Sequence, residues 1–217
     1  MKTVIVKYNA GNIQSVLYAL ERIGLAATVT DDHEEIQSAD KVIFPGVGEA
    51  STAMQYLKQR NLDSLLKSLK QPVFGICLGM QLMCTYSEEN DTECMGIFDE
   101  QVRHFGCGSL AETPEEGPYF EGDNRKGLKV PQIGWNNIYD LKSNLFRDVR
   151  EDTYVYLVHS YHASLGEHTI ATANYIQSYS AALHKDNFYG VQFHPEKSAS
   201  AGEQILKNFL ELSSAGL

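Results

Sequence analysis

Short apolar runs alternate with amphipathic segments over the first 85 residues, and this alternation constrains the fold more than any other feature of the chain. The runs that we interpret as buried strands are residues 3–7, 26–30, 41–44 and 73–76. Between the first two runs, Val16, Leu20 and Ile23 recur at the spacing of one helical face. Strands that alternate with helices are typical of parallel βαβ units. The sequence therefore predicts an α/β fold, with a central, mostly parallel sheet flanked by helices.

The second half of the chain follows a different pattern, in which short strands and turns predominate. Strand-like runs occur at residues 154–158, 168–175 and 188–193, and an amphipathic helix is predicted through residues 205–210. Residues 106–127 are acidic and rich in glycine and proline, which predicts a surface loop. Because no long linker interrupts the chain, we expect residues 1–217 to form a single domain with antiparallel strands added to the sheet.

Composition excludes several classes of function. The net charge is −10 and no run of lysine and arginine exceeds two residues, which argues against a nucleic-acid partner. No apolar stretch is long enough for a membrane span or a signal peptide, so a cytoplasmic protein is expected. The cysteines at 77, 84, 94 and 107 form no C-x-x-C pair, which predicts reduced thiols rather than a zinc site or disulfides. We predict neither a metal nor an organic cofactor.

The segment GICLG at residues 75–79 resembles a nucleophile elbow. Its small residues allow a sharp turn from strand to helix that exposes Cys77, and the amino end of the helix favours the thiolate. The alternative is that Cys77 is a small buried apolar residue, as free cysteines commonly are. Glycine on both sides of the cysteine, directly after a strand, favours the nucleophile.

A cysteine nucleophile needs an acid–base partner, and the segment VQFHPE at residues 191–196 provides one. His194 follows an apolar strand, and Glu196 can accept a hydrogen bond from its imidazole. The sequence thus predicts a triad of Cys77, His194 and Glu196. Rivals for the histidine are His159, His162 and His184.

The segment PGVG at residues 45–48, which we call the oxyanion loop, follows another predicted strand. Its backbone N–H groups and that of Leu78 could stabilise a tetrahedral oxyanion. Such a loop could equally be a simple turn or a phosphate cradle, although the lysine of a phosphate-binding loop is absent.

Together these segments resemble the class I (triad) glutamine amidotransferases, whose fold is flavodoxin-like. Within that family, residues 8–16, 130–136, 159–161 and 194–198 are similar to hallmark segments of the glutaminase subunits of imidazole glycerol phosphate synthase. The chain departs from the family at Ala10, where glycine is usual, and at Gln132 and Ile133, where histidine and methionine are common. Residues 106–127 are also longer and more acidic than the family leads us to expect.

The resemblance implies a role for each candidate residue. Cys77 would attack the side-chain amide of glutamine, His194 would protonate the departing ammonia, and Glu196 would orient His194. Contacts to the substrate are implied for Gln81, Glu89, Gly46, Val47, Gly48 and Leu78. Tyr161 and Lys197 would lie towards a partner, which in the family is a (β/α)8 cyclase of histidine biosynthesis.

A partner is also expected on chemical grounds, because ammonia released into neutral water becomes ammonium and loses its nucleophilic lone pair. We expect the isolated subunit to be nearly inactive, with the oxyanion loop as its switch. Three alternatives remain: a paralogous subunit that supplies ammonia for amino sugars of surface polysaccharide, a free-standing cysteine hydrolase, and a catalytically dead scaffold. The intact triad argues against the last.

Overall fold

The computed structural model describes residues 1–9, 11–106 and 129–212. The strands are β1 (Thr3–Val6), β2 (Ala27–Thr30), β3 (Lys41–Gly46), β4 (Val73–Cys77), β5 (Tyr86–Ser87), β6 (Thr92–Glu93), β7 (Gln101–His104), β8 (Gln132–Ile138), β9 (Thr153–His159), β10 (Tyr161–Ala163), β11 (Thr169–Asn174), β12 (Ser178–Lys185) and β13 (Phe188–Val191). The helices are α1 (Ile13–Arg22), α2 (His33–Gln37), α3 (Ala50–Gln59), α4 (Leu62–Ser68), α5 (Leu78–Met83) and α6 (Ala199–Glu211).

Within these residues, eleven strands form one sheet in the order β2-β1-β3-β4-β13-β12-β10-β7-β5-β6, and β11 pairs with β12. The five strands from β2 to β13 are parallel to one another, and the extension that begins at β12 is antiparallel except for the parallel pair β5 and β7. Strands β8 and β9 pair separately as an antiparallel ribbon. The predicted α/β architecture is therefore confirmed.

The core lies on both faces of the parallel strands, because successive side chains of a strand point to opposite faces. Val4 and Val6 of β1 pack in the cluster that contains α3, α4 and α5, whereas Ile5 packs in the cluster that contains α1 and α6. Full burial of β1, β3 and β4 explains why they are apolar apart from their first residues Thr3 and Lys41 in β1 and β3. Among the helices of the described part, none is long and apolar enough to cross a membrane.

Register places three strand ends side by side. Gly46 at the end of β3 is paired with Cys77 at the end of β4, and Val191 at the end of β13 is paired with Ile76. Ligands of open α/β sheets bind at the carboxyl ends of strands. The three segments singled out in the sequence thus emerge at one edge of the sheet.

Some boundaries and elements differ from the prediction. The strand predicted to residue 193 ends at Val191, so two residues outside the strand precede His194. Strands β7, β8, β10 and β12 were not predicted, because they are short or rich in small and polar residues and lack a clear apolar alternation. Ala10 and almost all of the predicted loop at 106–127 lie outside the described residues.

Candidate functional site

Cys77 lies in a cavity of about 270 Å³ at this edge of the sheet, which is also lined by Gln81, Glu89, His159 and His194. It is the last residue of β4 and immediately precedes α5. Its backbone has φ 53° and ψ −110°, a conformation that non-glycine residues rarely adopt. Such strain persists where the surrounding structure enforces it, commonly at functional sites.

The glycines beside Cys77 serve a different purpose from the one predicted. We expected them to permit the turn, yet the positive φ falls on Cys77 itself. A Cβ on Gly79 would lie 1.9 Å from the carbonyl oxygen of Phe44, and a Cβ on Gly75 would lie 2.8 Å from the backbone nitrogen of Met80. The glycines are therefore required so that α5 can pack directly against β3 and β4.

His194 and Glu196 form a buried hydrogen-bonded pair. Nδ1 of His194 lies 2.8 Å from Oε1 of Glu196, and the two residues are 3% and 8% exposed. The backbone N–H of His194 donates to the carbonyl of Tyr156, at 2.9 Å. The hydroxyl of Ser198 donates to the carbonyl of His194 and accepts from the N–H of Tyr156. Strand β9 thus fixes the backbone that carries the imidazole.

The charge state of His194 follows from its neighbours. Burial disfavours the imidazolium, but hydrogen bonds and negative charge from Cys77 and Glu196 outweigh burial and raise the pKa of His194 to about 10. The ring is therefore protonated at neutral pH. His194 thus interacts with the sulfur of Cys77 on one side and with the carboxylate of Glu196 on the other.

The rival histidines have other environments. His159 lines the cavity, but burial lowers its pKa to about 3 and its Nδ1 lies 2.8 Å from the carbonyl oxygen of Tyr161. Burial likewise lowers the pKa of His162 to about 4. His184 stacks on Tyr189, with ring centroids 4.1 Å apart, and does not line the cavity.

The predicted substrate contacts converge on the same cavity. Val47, Gly48 and Leu78 line it together with Gln81 and Glu89.

The sixth predicted contact, Gly46, does not line the cavity, although it directly precedes Val47, which does. A Cβ on Gly46 would meet the Tyr8 hydroxyl at 2.4 Å. Substitution of Gly46 would therefore disturb the start of the oxyanion loop.

Glu89, in the turn between β5 and β6, contacts the first residue of α3: its Oε2 accepts a hydrogen bond from the N–H of Ala50 at 2.7 Å. Burial raises the pKa of its carboxyl. Gln81 donates from Nε2 to the carbonyl of Tyr161 and to Oε1 of Gln192, each at 2.9 Å. Since both amide hydrogens of Gln81 are engaged, only its oxygen can serve a ligand, as an acceptor.

Gln192 is a residue of the site that the sequence prediction left without a role. Its side chain is fully buried, and its Nε2 lies 3.6 Å from Sγ of Cys77. The only sequence signal was its position two residues before His194, in a segment selected for its histidine and glutamate.

An exposed apolar surface adjoins the cavity mouth. It consists of the exposed residues Ile133, Trp135, Tyr154 and Val158 and the half-buried Tyr156 on the outer side of β8 and β9, and we call it the β8–β9 face. Trp135 is 53% exposed and contacts Tyr156 edge to face. Val158 belongs to this face and also lines the cavity. The predicted partner-facing residues Tyr161 and Lys197 line the cavity as well. Nζ of Lys197 lies 5.8 Å from the ring centroid of Tyr156.

Comparison with known proteins gives consistent results. The family described as glutamine amidotransferase class-I matches residues 4–212. A Bacteroides fragilis protein named imidazole glycerol phosphate synthase subunit HisH is 54% identical, over 98% of this chain and 100% of the relative. A protein of the same name from Pectobacterium atrosepticum is 44% identical, over 98% of this chain and 100% of its own length.

Solved structures agree on the fold. One is a glutamine amidotransferase, with a TM-score of 0.67 and 16% identity, covering 99% of each chain. Another is the glutaminase domain of Trypanosoma brucei CTPS with bound acivicin, with a TM-score of 0.61 and 15% identity, covering 97% of this chain and 94% of that one. At such low identity the likeness concerns the fold alone. It confirms the flavodoxin-like arrangement expected from the sequence.

Proposed function

Because this chain belongs to the class I glutamine amidotransferase family, we propose that it is the glutaminase subunit of an imidazole glycerol phosphate synthase, with Cys77, His194 and Glu196 as its catalytic triad. The observation that carries the triad is the placement of the Cys77 sulfur and the buried His194–Glu196 pair at one cavity. Full-length relatives named as this subunit support the pathway.

The mechanism begins with attack of the Cys77 thiolate on the side-chain carbonyl carbon of glutamine. The carbonyl oxygen becomes an oxyanion, for which Leu78 and the oxyanion loop supply backbone N–H groups. His194, already an imidazolium, gives its proton to the amide nitrogen, and the C–N bond breaks to release ammonia. Neutral His194 then takes a proton from water, and the hydroxide cleaves the thioester to give glutamate and the thiolate. Glu196 holds the ring and its positive charge throughout.

The amino-acid end of glutamine is assigned to Glu89 and Gln81. Both residues line the cavity that contains Cys77, and a carboxylate and an amide oxygen are suitable acceptors for the α-ammonium group of a glutamine whose side-chain amide meets Cys77.

Replacing Glu89 by glutamine is expected to raise KM for glutamine about 10- to 100-fold, because a hydrogen bond to a charged group contributes roughly 1.5–3 kcal/mol. The new side chain retains an oxygen for the N–H of Ala50, so charge alone is tested. Steady-state kinetics of the stimulated enzyme would measure the change. The control is Glu93→Gln, whose side chain is 87% exposed. An unchanged KM in Glu89→Gln would remove Glu89 from the substrate site.

The partner in this proposal is a cyclase subunit with a (β/α)8 fold. Ammonia must leave the cavity without equilibrating with water, so the partner has to cover the cavity mouth. The β8–β9 face is suited to that contact because it is apolar, aromatic and continuous with the cavity through Val158. Docking there would also press on β9, which holds the backbone of His194.

Replacing Trp135 by aspartate is expected to raise the cyclase concentration needed for half-maximal stimulation about 30-fold or more, because a buried interface tryptophan commonly contributes at least about 2 kcal/mol. Titration of glutaminase activity with cyclase would give this value. The matched control is Tyr18→Asp on α1, a 54% exposed aromatic residue that does not line the cavity. Equal titration curves for Trp135→Asp and wild type would exclude this face.

The experiment that tests the proposed function is glutamate release from glutamine by the purified chain, alone and with the cyclase and its ribonucleotide ligand. We expect strong stimulation by the cyclase and no activity in Cys77→Ala. Activity that is independent of the partner would favour a free-standing hydrolase, and activity retained in Cys77→Ala would reject the triad.

A further inference from the structure

We propose that Gln192 is a further catalytic residue, whose side-chain N–H donates a hydrogen bond to the sulfur of Cys77 and stabilises the thiolate. The inference rests on the proposed function in one respect, namely that Cys77 is the nucleophile. It adds a second donor to the sulfur, besides the imidazolium of His194.

The position of Gln192 is fixed by the sheet. It directly follows β13, and its backbone N–H donates to the carbonyl of Ala181 on β12 at 2.8 Å. The preceding residue, Val191, is paired with Ile76, the residue before Cys77. Gln192 and Cys77 therefore leave adjacent parallel strands at the same level. The side chain of Gln192 is wholly buried, with Nε2 3.6 Å from the sulfur.

The orientation of the Gln192 amide follows from its partners. The backbone carbonyl of Tyr161 can only accept, so the atom of Gln81 that contacts it must be the NH₂ group. The same NH₂ group faces Gln192, and the atom of Gln192 on that side must accordingly be the oxygen. The NH₂ group of Gln192 is then directed at Cys77. The carbonyl of Tyr161 therefore fixes the orientation of the Gln81 amide, which in turn orients the Gln192 NH₂ group towards the Cys77 sulfur.

The chemical value of this donor is that it does not titrate. His194 changes its protonation state during the cycle, whereas an amide N–H is present whenever the sulfur carries negative charge. The carbonyl of Val158, 4.0 Å from Sγ, has the opposite preference, because it can accept a hydrogen bond from the thiol but repels a thiolate. The N–H group of Gln192 stabilises the thiolate of Cys77 and so offsets the effect of the Val158 carbonyl.

The test compares wild type with Gln192→Met, which keeps the length of the side chain but lacks an N–H donor. The rate of Cys77 alkylation by iodoacetamide would be followed against pH, with the modified peptide identified by mass spectrometry. We expect the midpoint of the alkylation profile to rise by about one pH unit, and alkylation at pH values below the wild-type midpoint to slow about tenfold, because the lost hydrogen bond has a charged acceptor. Stimulated glutaminase activity should fall by a similar factor and recover at higher pH.

A matched control separates this effect from lost stability. Asn187→Ala removes a buried amide at the other end of β13, where Asn187 donates to the carbonyls of Leu69 and Gln71. Its midpoint should equal that of wild type, even though thermal unfolding occurs at lower temperature. If Gln192→Met does not fold, Gln192→Glu preserves the shape, and its added charge should raise the midpoint by more than one unit.

Failure of the Gln192 proposal can be distinguished from failure of the proposed function. An unchanged midpoint in the folded Gln192 variants would overturn the role of Gln192 and leave the triad intact. Glutaminase activity retained in Cys77→Ala would instead reject the nucleophile itself.

Discussion

Replacing Glu196 by glutamine is expected to reduce partner-stimulated glutaminase activity about 10⁴-fold, the loss seen when the carboxylate of a catalytic triad is replaced by its amide. The Glu196 oxygen lies 2.8 Å from Nδ1 of His194 in a site where both side chains are almost fully buried. An amide can present its NH₂ group to the ring and select the wrong tautomer. It also removes the negative charge that holds the imidazolium.

The same substitution should change the pH dependence, and the direction follows from the pKa of His194. That pKa lies at about 10, above the ordinary value of 6.5, in part because Glu196 is charged. Without that charge the pKa falls, so the alkaline limb of the activity profile should move to lower pH. The stabilisation that this histidine gives the folded protein is complete below pH 6.5 and is lost as pH rises towards 10. In Glu196→Gln, less stability should be lost over this range.

Activity and urea unfolding measured from pH 6 to 10 would test both statements. The control is Glu203→Gln on α6, which removes a carboxylate paired with Arg22 at the surface. Its activity and pH dependence should match those of wild type. An alkaline limb at the same pH in Glu196→Gln and wild type would contradict the assignment of Glu196 as the partner of His194.

Replacing Gly79 by alanine is expected to lower the free energy of unfolding by about 3 kcal/mol or more, the upper end of the cost of overpacking a core. The added Cβ would lie 1.9 Å from the carbonyl oxygen of Phe44, a backbone atom of a central strand that cannot rotate away. Since domains of this kind are stable by only about 5–15 kcal/mol, we expect the variant to unfold at a lower urea concentration than wild type. Urea unfolding followed by circular dichroism would give the change.

The matched control is Gly24→Ala at the end of α1. Its Cβ would meet nothing within 4 Å, but its φ of +80° is unfavourable for alanine. This variant should lose only about 1–2 kcal/mol, the cost of the left-handed conformation. Equal losses for Gly79→Ala and Gly24→Ala would show that helix α5 has room to move away from β3, contrary to the packing described.

The parallel half of the fold could be predicted because burial on both faces makes β1, β3 and β4 continuous, mainly apolar runs. The antiparallel half could not. Strand β12, the longest in the described chain, carries serines, alanines and a histidine, and its pairing with three neighbours depends on contacts distant in sequence. Hydrophobic periodicity indicates which face of a strand is buried, but it does not indicate which strands pair with one another.

The candidate site was predicted where local sequence determines local geometry. The strand–Cys77–helix turn and the short separation between His194 and Glu196 are of this kind. Gln192 was missed because its role depends on two strands ending at the same level and on an amide of Gln81 from another element. The β8–β9 face was missed for a similar reason, since exposure of Trp135 follows from pairing of the ribbon rather than from its sequence.

The measurement that tests the central claim most directly is product formation by the complex of this chain with the cyclase, using either glutamine or ammonium salt as the nitrogen source. We predict that Cys77→Ala abolishes the glutamine-dependent reaction and leaves the ammonium-dependent reaction at the wild-type rate, because the cyclase site and its contact with this chain are untouched. Glutamine-dependent product formation by Cys77→Ala at the wild-type rate would contradict the account.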